Sequence, residues 1–337
     1  MTPPGKLPLV IVTGFLGSGK TTLLRRFLAR QEMEDSFVLV NEIADVDFDQ
    51  SLLPPMKGSV RCVKRGCICC TAREEFRSLL LQLVETNADG GDISRIILET
   101  SGMTNPAPLI ETVVGNSVLN NRIAVTGILT LVDCVNAEFH FKDYPEFSMQ
   151  VACADRILLT KTDIATDQTI KAVTALIRSL NPFADIVADE NRLIAALQGR
   201  ASPVDRMPLR PYHNLAQPLS AHSDIRAFCI SLENTCRWSD FAIWLSLLLY
   251  AHGDRILRIK GLLDLGDSGG RVAINCVQEL VYFPEHLDDR RHVDARSTVA
   301  FIVRGLEPER IVGSLQRFFP TGRLQLVPGI GSEDAPR

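Results

Sequence analysis

The chain has 337 residues, of which 46% are hydrophobic and 23% charged, a composition typical of a folded globular protein and not of a disordered or fibrous one. Its formal charge of −4 gives no cationic excess for a broad nucleic-acid surface, and its longest apolar stretch late in the chain, residues 241–251, is too short to cross a bilayer. At roughly 150 residues per domain, the length predicts about two domains.

The first half of the chain predicts alternating strands and helices. Short β-branched runs are separated by stretches with helical periodicity, which favours an α/β fold with a mostly parallel, doubly wound sheet. Ligands bind such sheets at the loops that follow the carboxyl ends of the strands. The predicted strands are Leu9–Thr13, Phe37–Asn41, Arg95–Thr100, Ile123–Val132 and Arg156–Thr160, and the predicted helices are Lys20–Gln31, Ala72–Val84 and Asp167–Leu180.

The first predicted strand leads into a phosphate-binding loop. Residues 14–21 read GFLGSGKT and match the pattern G-x-x-x-x-G-K-[ST] between a strand and a helix. Glycines let backbone N–H groups turn inward around a phosphate, Lys20 is expected to contact the β- and γ-phosphates, and the Thr21 hydroxyl is expected to bind Mg²⁺. The chain is therefore expected to bind a nucleoside triphosphate. The predicted contacts are Gly14, Gly17, Ser18, Gly19, Lys20, Thr21 and Thr22.

The strand predicted at residues 95–100 carries a carboxylate near its end that suits a magnesium site. Glu99 follows a buried aliphatic run, and Gly102 comes three residues later, where a backbone N–H can contact a γ-phosphate. We expect Glu99 to serve the metal ion or its water ligands and to act in catalysis with Lys20 and Thr21. A carboxylate that caps the following turn is the alternative.

A loop that reads guanine is predicted after the strand at residues 156–160. Lys161 and Asp163 occupy positions at which a carboxylate can accept hydrogen bonds from the N1–H and the exocyclic amine of guanine, a pair of donors that adenine lacks. Asp163 is the expected reader, and the Lys161 stem is expected to pack over the base. Thr160 stands where this motif usually has asparagine. A charge pair at the entry of the next helix is the alternative interpretation.

Three of the nine cysteines, Cys67, Cys69 and Cys70, fall within four positions. Thiolates suit Zn²⁺, Co²⁺ or Cu(I), and this spacing indicates metal or redox chemistry in a reducing compartment. Two adjacent cysteines are not expected to share one ion without strain, so we expect two or three sulfur ligands and a donor from elsewhere, with Glu42 as the best local candidate. Such an incomplete shell predicts a site that is loaded and emptied. A C-x-x-C redox pair and functionless thiols are the alternatives.

The second half of the chain predicts a separate, smaller domain. Prolines recur without periodicity between residues 199 and 222, which indicates a linker. The elements beyond it predict an α+β domain related to the split βαβ motif. They are strand Ile225–Leu232, helix Trp238–His252, strands Arg255–Leu265, Arg271–Val277, Glu279–Phe283 and Thr298–Val303, and helix Pro308–Phe318. The predicted boundaries are a P-loop domain at 1–200, a linker at 201–222 and a C-terminal domain at 223–330.

Together these motifs resemble the CobW family of GTP-dependent metallochaperones, relatives of the GTPases that insert nickel into urease and hydrogenase. The resemblance covers most of the chain and rests on residues 13–24, 41–42, 66–70, 99–102, 161–163, 238–242 and 252–261. It implies a cytoplasmic GTPase of slow intrinsic turnover that binds GTP, Mg²⁺ and Zn²⁺ or Co²⁺, and that delivers the transition metal to a client protein. No nucleic-acid or membrane partner is expected, and a homodimer is left open.

The chain departs from the family pattern in two places. Residues 43–45 read Ile-Ala-Asp where the family usually has Phe-Gly-Glu, which makes Asp45, together with Asp49, a candidate acid near the magnesium ion. A histidine-rich tract is missing, and the scattered His140, His213 and His222 are each interpreted as surface or hydrogen-bonded residues instead of metal ligands. Two other functions stay open: a P-loop kinase or ATP-driven ligase with structural cysteines, and a non-catalytic GTP-binding regulator or scaffold.

Overall fold

The computed structural model describes residues 5–41, 60–63, 70–88, 91–187, 190–198, 224–232, 237–265, 270–282, 284–287, 297–320 and 324–327. These residues divide into two compact units: the division falls near residue 205, and residues 175–183 group with the second unit. The predicted linker at 201–222 lies outside the described residues, so the three domain boundaries stay predictions. None of the described helices combines the length and the apolar character that crossing a bilayer requires.

The first unit alternates strands and helices. Its strands are β1 (Leu7–Gly14), β2 (Ser36–Asn41), β3 (Val60–Val63), β4 (Arg95–Glu99), β5 (Ile123–Asp133), β6 (Arg156–Thr160) and β7 (Asp185–Val187). Its helices are α1 (Lys20–Leu28), α2 (Cys70–Ala88), α3 (Ala107–Val114), α4 (Ser117–Arg122), α5 (Ala137–Asp143), α6 (Pro145–Cys153), α7 (Asp167–Leu180) and α8 (Glu190–Leu197).

The strands of the first unit form one parallel sheet in the order β3-β2-β4-β1-β5-β6-β7. Strand β1 lies near the middle, where Val12 pairs with Glu99 of β4 on one side and Leu129 of β5 on the other. The predicted parallel, doubly wound sheet is confirmed. Because parallel strands end at the same edge, the loops after β1, β4, β5 and β6 gather there.

The central strands are apolar throughout. Residues 9–12 of β1 and residues 96–98 of β4 are at most 2% exposed, a pattern typical of strands in a parallel sheet that is covered on both faces. Val10 and Val12 belong to a core cluster with Leu24 and Phe27 of α1, which lies directly after the phosphate loop. Burial of each such side chain contributes about 1.5–3 kcal/mol, so the phosphate loop is anchored at both ends by buried core residues.

The second unit is built on an antiparallel sheet. Its strands are β8 (Ile225–Leu232), β9 (Ile256–Asp264), β10 (Arg271–Val277), β11 (Leu280–Val281), β12 (Glu285–Leu287), β13 (Ser297–Arg304) and β14 (Leu324–Val327), and its helices are α9 (Trp238–His252) and α10 (Pro308–Phe318). The sheet order is β14-β8-β13-β9-β10-β11, with β12 also paired to β10. This is the predicted split βαβ arrangement, β8-α9-β9 followed by β13-α10-β14, with β10 to β12 inserted between the halves.

The differences from the predicted elements are local. Helix α1 ends at Leu28, short of Gln31, and α2 begins at Cys70, before Ala72. The strand predicted at 279–283 shortens to β11, because the chain turns at Gln278, which has a φ of 51°. Strands β3, β7, β12 and β14 were not predicted, since strands of three or four residues are too short to show an alternating pattern.

Candidate functional site

The loop between β1 and α1 has the backbone conformation expected of a phosphate cradle. Gly17 and Gly19 have φ angles of 71° and 90°, in the left-handed region that disfavours residues with a side chain. Gly19 directly precedes α1, whose first N–H groups and positive dipole end therefore lie at the loop. Lys20 Nζ donates hydrogen bonds to the carbonyl oxygens of Gly14 at 2.7 Å and Phe15 at 3.2 Å. The lysine side chain is thus held against the loop whose bound phosphates it is predicted to contact.

The two residues predicted to serve magnesium are in direct contact. The Thr21 hydroxyl donates a hydrogen bond to Glu99 Oε1 at 2.7 Å, although 78 residues separate them in the chain. Glu99 is 4% exposed at the carboxyl end of β4. Hydroxyl and carboxylate oxygens are ligands that Mg²⁺ accepts, directly or through water, so this pair fits an ion bound together with a triphosphate. Such an ion would neutralise charge on the β- and γ-phosphate oxygens.

Gly102 lies directly against the phosphate loop. A Cβ atom at this position would be 2.7 Å from the backbone nitrogen of Leu16 and 2.8 Å from its Cα, which is closer than real side chains approach. On its other side, Gln150 of α6, which is 1% exposed, donates from Nε2 to the carbonyl oxygens of Gly102 at 3.0 Å and Thr104 at 3.1 Å. The segment after β4 is therefore fixed beside the loop, as a γ-phosphate contact from Gly102 requires.

A pocket of about 500 Å³ joins the phosphate loop to the predicted base-reading loop. Its size and its apolar wall with a few polar groups are typical of a site for a small organic ligand such as a nucleobase. It is lined by Ser18, Gly19, Thr22, Leu23, Arg26, Phe27, Leu158, Leu159, Thr160, Lys161, Thr162, Asp163 and Leu193. The structure therefore brings Lys161 and Asp163 together with the phosphate loop, as their predicted roles demand.

Thr160 connects the two loops. Its hydroxyl is 2.9 Å from the carbonyl oxygen of Ser18 in the phosphate loop and 3.3 Å from that of Val132 in β5, and it can donate to either. The threonine that replaces the usual asparagine therefore still ties the base-reading loop to the phosphate loop.

Sequence reasoning missed Asp133, the last residue of β5. Its carboxylate accepts hydrogen bonds from Lys161 Nζ at 2.7 Å, from Asn136 Nδ2 at 2.7 Å and from the Val135 N–H at 2.9 Å. Burial would raise the pKa of this carboxyl, but the hydrogen bonds from Lys161, Asn136 and Val135 outweigh burial and hold the pKa below its ordinary value of 3.8. The signal in the sequence was an acidic residue directly after a long apolar strand.

His140 of α5 is buried beside the phosphate loop. Its ring centroid lies 4.5 Å from that of Phe15 and 6.2 Å from that of Tyr144, and its Nδ1 has no hydrogen-bond partner among the described residues. Burial lowers the pKa of His140 below its ordinary value of 6.5, against an opposing effect of the Asp133 charge and with a smaller contribution from Lys161. His140 is therefore not a surface residue, since packing against Phe15 buries it, and within the described residues its Nδ1 does not make the hydrogen bond that the other interpretation expects.

Most of the predicted transition-metal ligands fall outside the described part of the chain. Of Cys70 only the backbone is described, as the first residue of α2. Within the described residues, no group of three histidine, cysteine or acidic side chains could hold a metal ion. The predicted ligands outside the described residues are Glu42, Asp45, Asp49, Cys67 and Cys69.

Comparison with known families divides the chain as the two units do. Residues 8–188 match the CobW/HypB/UreG nucleotide-binding domain, and residues 225–319 match the C-terminal domain of the cobalamin synthesis protein CobW.

Individual relatives extend this match. The zinc chaperone YjiA of Escherichia coli is 31% identical over 280 residues, which covers 81% of this chain and 87% of the relative. The zinc-regulated GTPase metalloprotein activator 1 of Schizosaccharomyces pombe is 32% identical over 188 residues, which covers 54% of this chain and 45% of the relative. The crystal structure of Zn(II)-bound YjiA GTPase from E. coli superposes with a TM-score of 0.68 at 24% identity, covering 93% of this chain and 99% of that one, and so shows the same fold.

Substitution of Gly102 by alanine should weaken nucleotide binding. The added Cβ would overlap the Leu16 backbone, and overpacking of this kind costs about 1–3 kcal/mol, so we expect the Kd for GTP to rise about tenfold or more in fluorescent-nucleotide titrations. Gly313→Ala is the matched control, because a Cβ there meets no atom within 4 Å and alanine favours helix α10. Wild-type affinity in Gly102→Ala would contradict the assigned role.

Burial of His140 predicts that acid destabilises the protein. A histidine whose folded-state pKa is lowered contributes stability that is full above the unfolded value of about 6.5 and is lost as the pH falls through the lower folded value. Urea denaturation at pH 7.5 and pH 5.0 should therefore show a smaller loss of stability for His140→Phe, which keeps the aromatic packing, than for the wild type. Equal losses in the two proteins would show that His140 does not cause the effect.

Proposed function

The chain belongs to the family of CobW, HypB and UreG nucleotide-binding proteins, and from this premise we propose that it is a GTP-hydrolysing metallochaperone whose nucleotide state controls a zinc site at Cys67, Cys69 and Cys70. Its match to the CobW/HypB/UreG nucleotide-binding domain and its similarity to a relative named as a GTPase identify it as a GTPase. Two parts of the proposal go further than family membership. One is the cysteine site, with Glu42 as a further donor, and the other is the delivery of its ion to a client metalloenzyme or metal-pathway protein.

One observation carries the proposal: the strand ends are aligned on the phosphate-loop edge of the sheet. Val12 of β1 and Val40 of β2 both pair with Glu99 of β4, and Asn41 of β2 pairs with Val63 of β3. Strand β3 ends at Val63 on this same edge, and Cys67 and Cys69 lie in the sequence between Val63 and α2, which begins at Cys70. At about 4.8 Å between strands, the end of β3 is roughly 14 Å from β1, and the proposal couples the two sites across this separation.

GTP binding is assigned to the two loops that meet at the pocket. We assign Lys20 and the Gly102 N–H to the γ-phosphate, Thr21 and Glu99 to the magnesium ion, and Asp163 to the guanine edge, an assignment supported by the Thr21–Glu99 contact and by the residues that line the pocket. Hydrolysis removes the γ-phosphate and with it the contacts of Lys20 and Gly102, a change that orders or releases neighbouring segments in other nucleotide switches. Unassisted switch GTPases turn over at about 10⁻⁴ to 10⁻² per second, so the protein acts as a timer.

Zinc is the metal that we propose for the cysteine site. Thiolate ligands suit Zn²⁺, and the relatives named above include a zinc chaperone and a zinc-regulated activator. Sulfur-rich sites also bind Co²⁺, and selectivity between such ions depends on geometry and supply more than on affinity. Each metal titration of this chain should therefore include a competition between Zn²⁺ and Co²⁺.

The proposal predicts that zinc affinity depends on the bound nucleotide. Coupling of about 1–3 kcal/mol between two sites changes affinity about 5- to 150-fold, and by linkage zinc must change GTP affinity by the same factor. Zn²⁺ should be titrated against a chromophoric chelator with the protein bound either to a non-hydrolysable GTP analogue or to GDP. Equal zinc affinities in the two states would refute the coupling, whatever their absolute value.

Two variants should separate the nucleotide site from the metal site. Lys20→Ala should abolish triphosphate binding, because it removes the cation that contacts the phosphates, whereas Cys69→Ser should keep GTP binding and lose tight zinc binding. Lys171→Ala on the exposed side of α7 is the matched control for removal of a lysine. If Cys69→Ser lost GTP binding and kept its zinc affinity, the assignment of the cysteines to the metal site would be wrong. A wild-type protein that prefers ATP to GTP would favour the alternative function of a kinase or ligase.

A further inference from the structure

The base-reading loop contains an unusual backbone conformation at Lys161. Its φ is 57°, and among the described residues only Gln278 is another non-glycine residue with positive φ. The left-handed region crowds the Cβ against the following carbonyl oxygen, so a residue with a side chain stays there only when its surroundings hold it. The conformation of the loop from Thr160 to Asp163 therefore depends on whatever fixes Lys161.

Asp133 fixes Lys161. The Lys161 ammonium is 2.7 Å from Asp133 Oδ2, with the carboxylate side chain 1% exposed and the lysine side chain 37% exposed. The backbone reinforces the contact, because Asp133 pairs with Thr160 across β5 and β6 and the Cys134 N–H donates to the Thr160 carbonyl at 3.1 Å. The rigid end of a central strand thus holds the first two residues of the loop.

The carboxylate of Asp133 is itself held in place. Asn136 Nδ2 and the Val135 N–H donate to it, so the turn that leads into α5 orients both of its oxygens. It therefore presents a fixed charge to Lys161. The contact between the Lys161 ammonium and this charge fixes the position of the base-reading loop relative to β5. The same lysine lines the pocket beside Thr162 and Asp163.

We propose that Asp133 is a positioning residue for guanine recognition, which holds the loop from Thr160 to Asp163 in its reading conformation through the ammonium of Lys161. This inference rests on the proposed function, because it assumes that the pocket binds GTP through Asp163. It adds a residue outside the motif, on a different strand, to the determinants of nucleotide selectivity. Asp133 touches neither the Thr21 hydroxyl nor Glu99, so its effect should fall on base selectivity more than on hydrolysis.

The test is Asp133→Asn in the full-length protein. The amide keeps the shape of the side chain and one oxygen that can accept from the Val135 N–H, but it removes the charge that binds Lys161. We expect the Kd for GTP to rise about tenfold or more while the Kd for ATP changes about twofold or less, so that the preference for GTP over ATP falls. The hydrolysis rate at saturating GTP should stay within about threefold of the wild type.

A matched control separates positioning from stability. Asp155 is also a buried aspartate between β5 and β6, but it lies at the other edge of the sheet, where its Oδ2 accepts the Ile128 N–H at 3.0 Å. Asp155→Asn should lower stability in urea denaturation and keep the ratio of GTP to ATP affinity. If Asp155→Asn lowers that ratio as much as Asp133→Asn does, the effect is one of general stability and the inference is overturned.

A double-mutant cycle tests whether Asp133 acts through Lys161. Lys161→Met keeps a long apolar stem and removes the ammonium, so the double variant with Asp133→Asn should bind GTP no more weakly than the weaker single variant. Losses that simply add would show that Asp133 acts by another route and would overturn the inference. A wild type that prefers GTP, with an unchanged preference in Asp133→Asn, refutes this inference alone. A wild type without a preference for GTP refutes the proposed function as well.

Discussion

Two buried carboxylates, at the ends of the strands on either side of β1, set the geometry of the nucleotide site. Glu99 ends β4 and accepts the Thr21 hydroxyl, and Asp133 ends β5 and accepts the Lys161 ammonium. Each residue is at most 4% exposed, and a buried charge without partners costs on the order of several kcal/mol. The fold therefore requires both pairs to form. One pair fixes the start of α1 relative to β4, and the other fixes the base-reading loop relative to β5.

The strand order then distributes the functions across the sheet. From β2 to β6 the carboxyl edge carries Asn41, Glu99, the phosphate loop, Asp133 and the base-reading loop, and β3 lies beyond β2. A nucleotide whose phosphates lie at β1 and whose base lies toward β6 therefore has its γ-phosphate on the side of β4 and β2. Hydrolysis changes only that end of the ligand. Strand β3 lies on that side of the sheet, whereas the base-reading loop lies on the other side, toward a base that GTP and GDP share.

The sequence predicted those parts of the site that are contiguous in the chain. The phosphate loop needs four fixed residues within eight consecutive positions, and a contiguous pattern of that kind is recognisable without any knowledge of packing. Asp133 and His140 were missed or misread because their environment comes from partners far along the chain: Asp133 binds a lysine 28 residues away, and Phe15 packs on His140 from another loop. Edge elements such as β3 were missed for a different reason, since four residues cannot display an alternating pattern. Motifs that are contiguous in the chain were readable, and so was the joint role of Thr21 and Glu99, whereas the partners of Asp133 and His140 were not.

The place of β3 in the sheet bears on how a metal site could respond to the nucleotide. Among the described strands, β3 pairs with β2 alone and over four residues, whereas β1 is paired along its length on both sides. An edge strand loses fewer backbone hydrogen bonds when it shifts, and regions of low local stability are those that open first. Strand β3 can therefore shift with little effect on β1, β4 or β5, which carry the phosphate loop, Glu99 and Asp133. The proposed release of a metal ion needs this combination of a rigid centre and an edge strand that can shift, because a site as rigid as the centre would retain its ion in every nucleotide state.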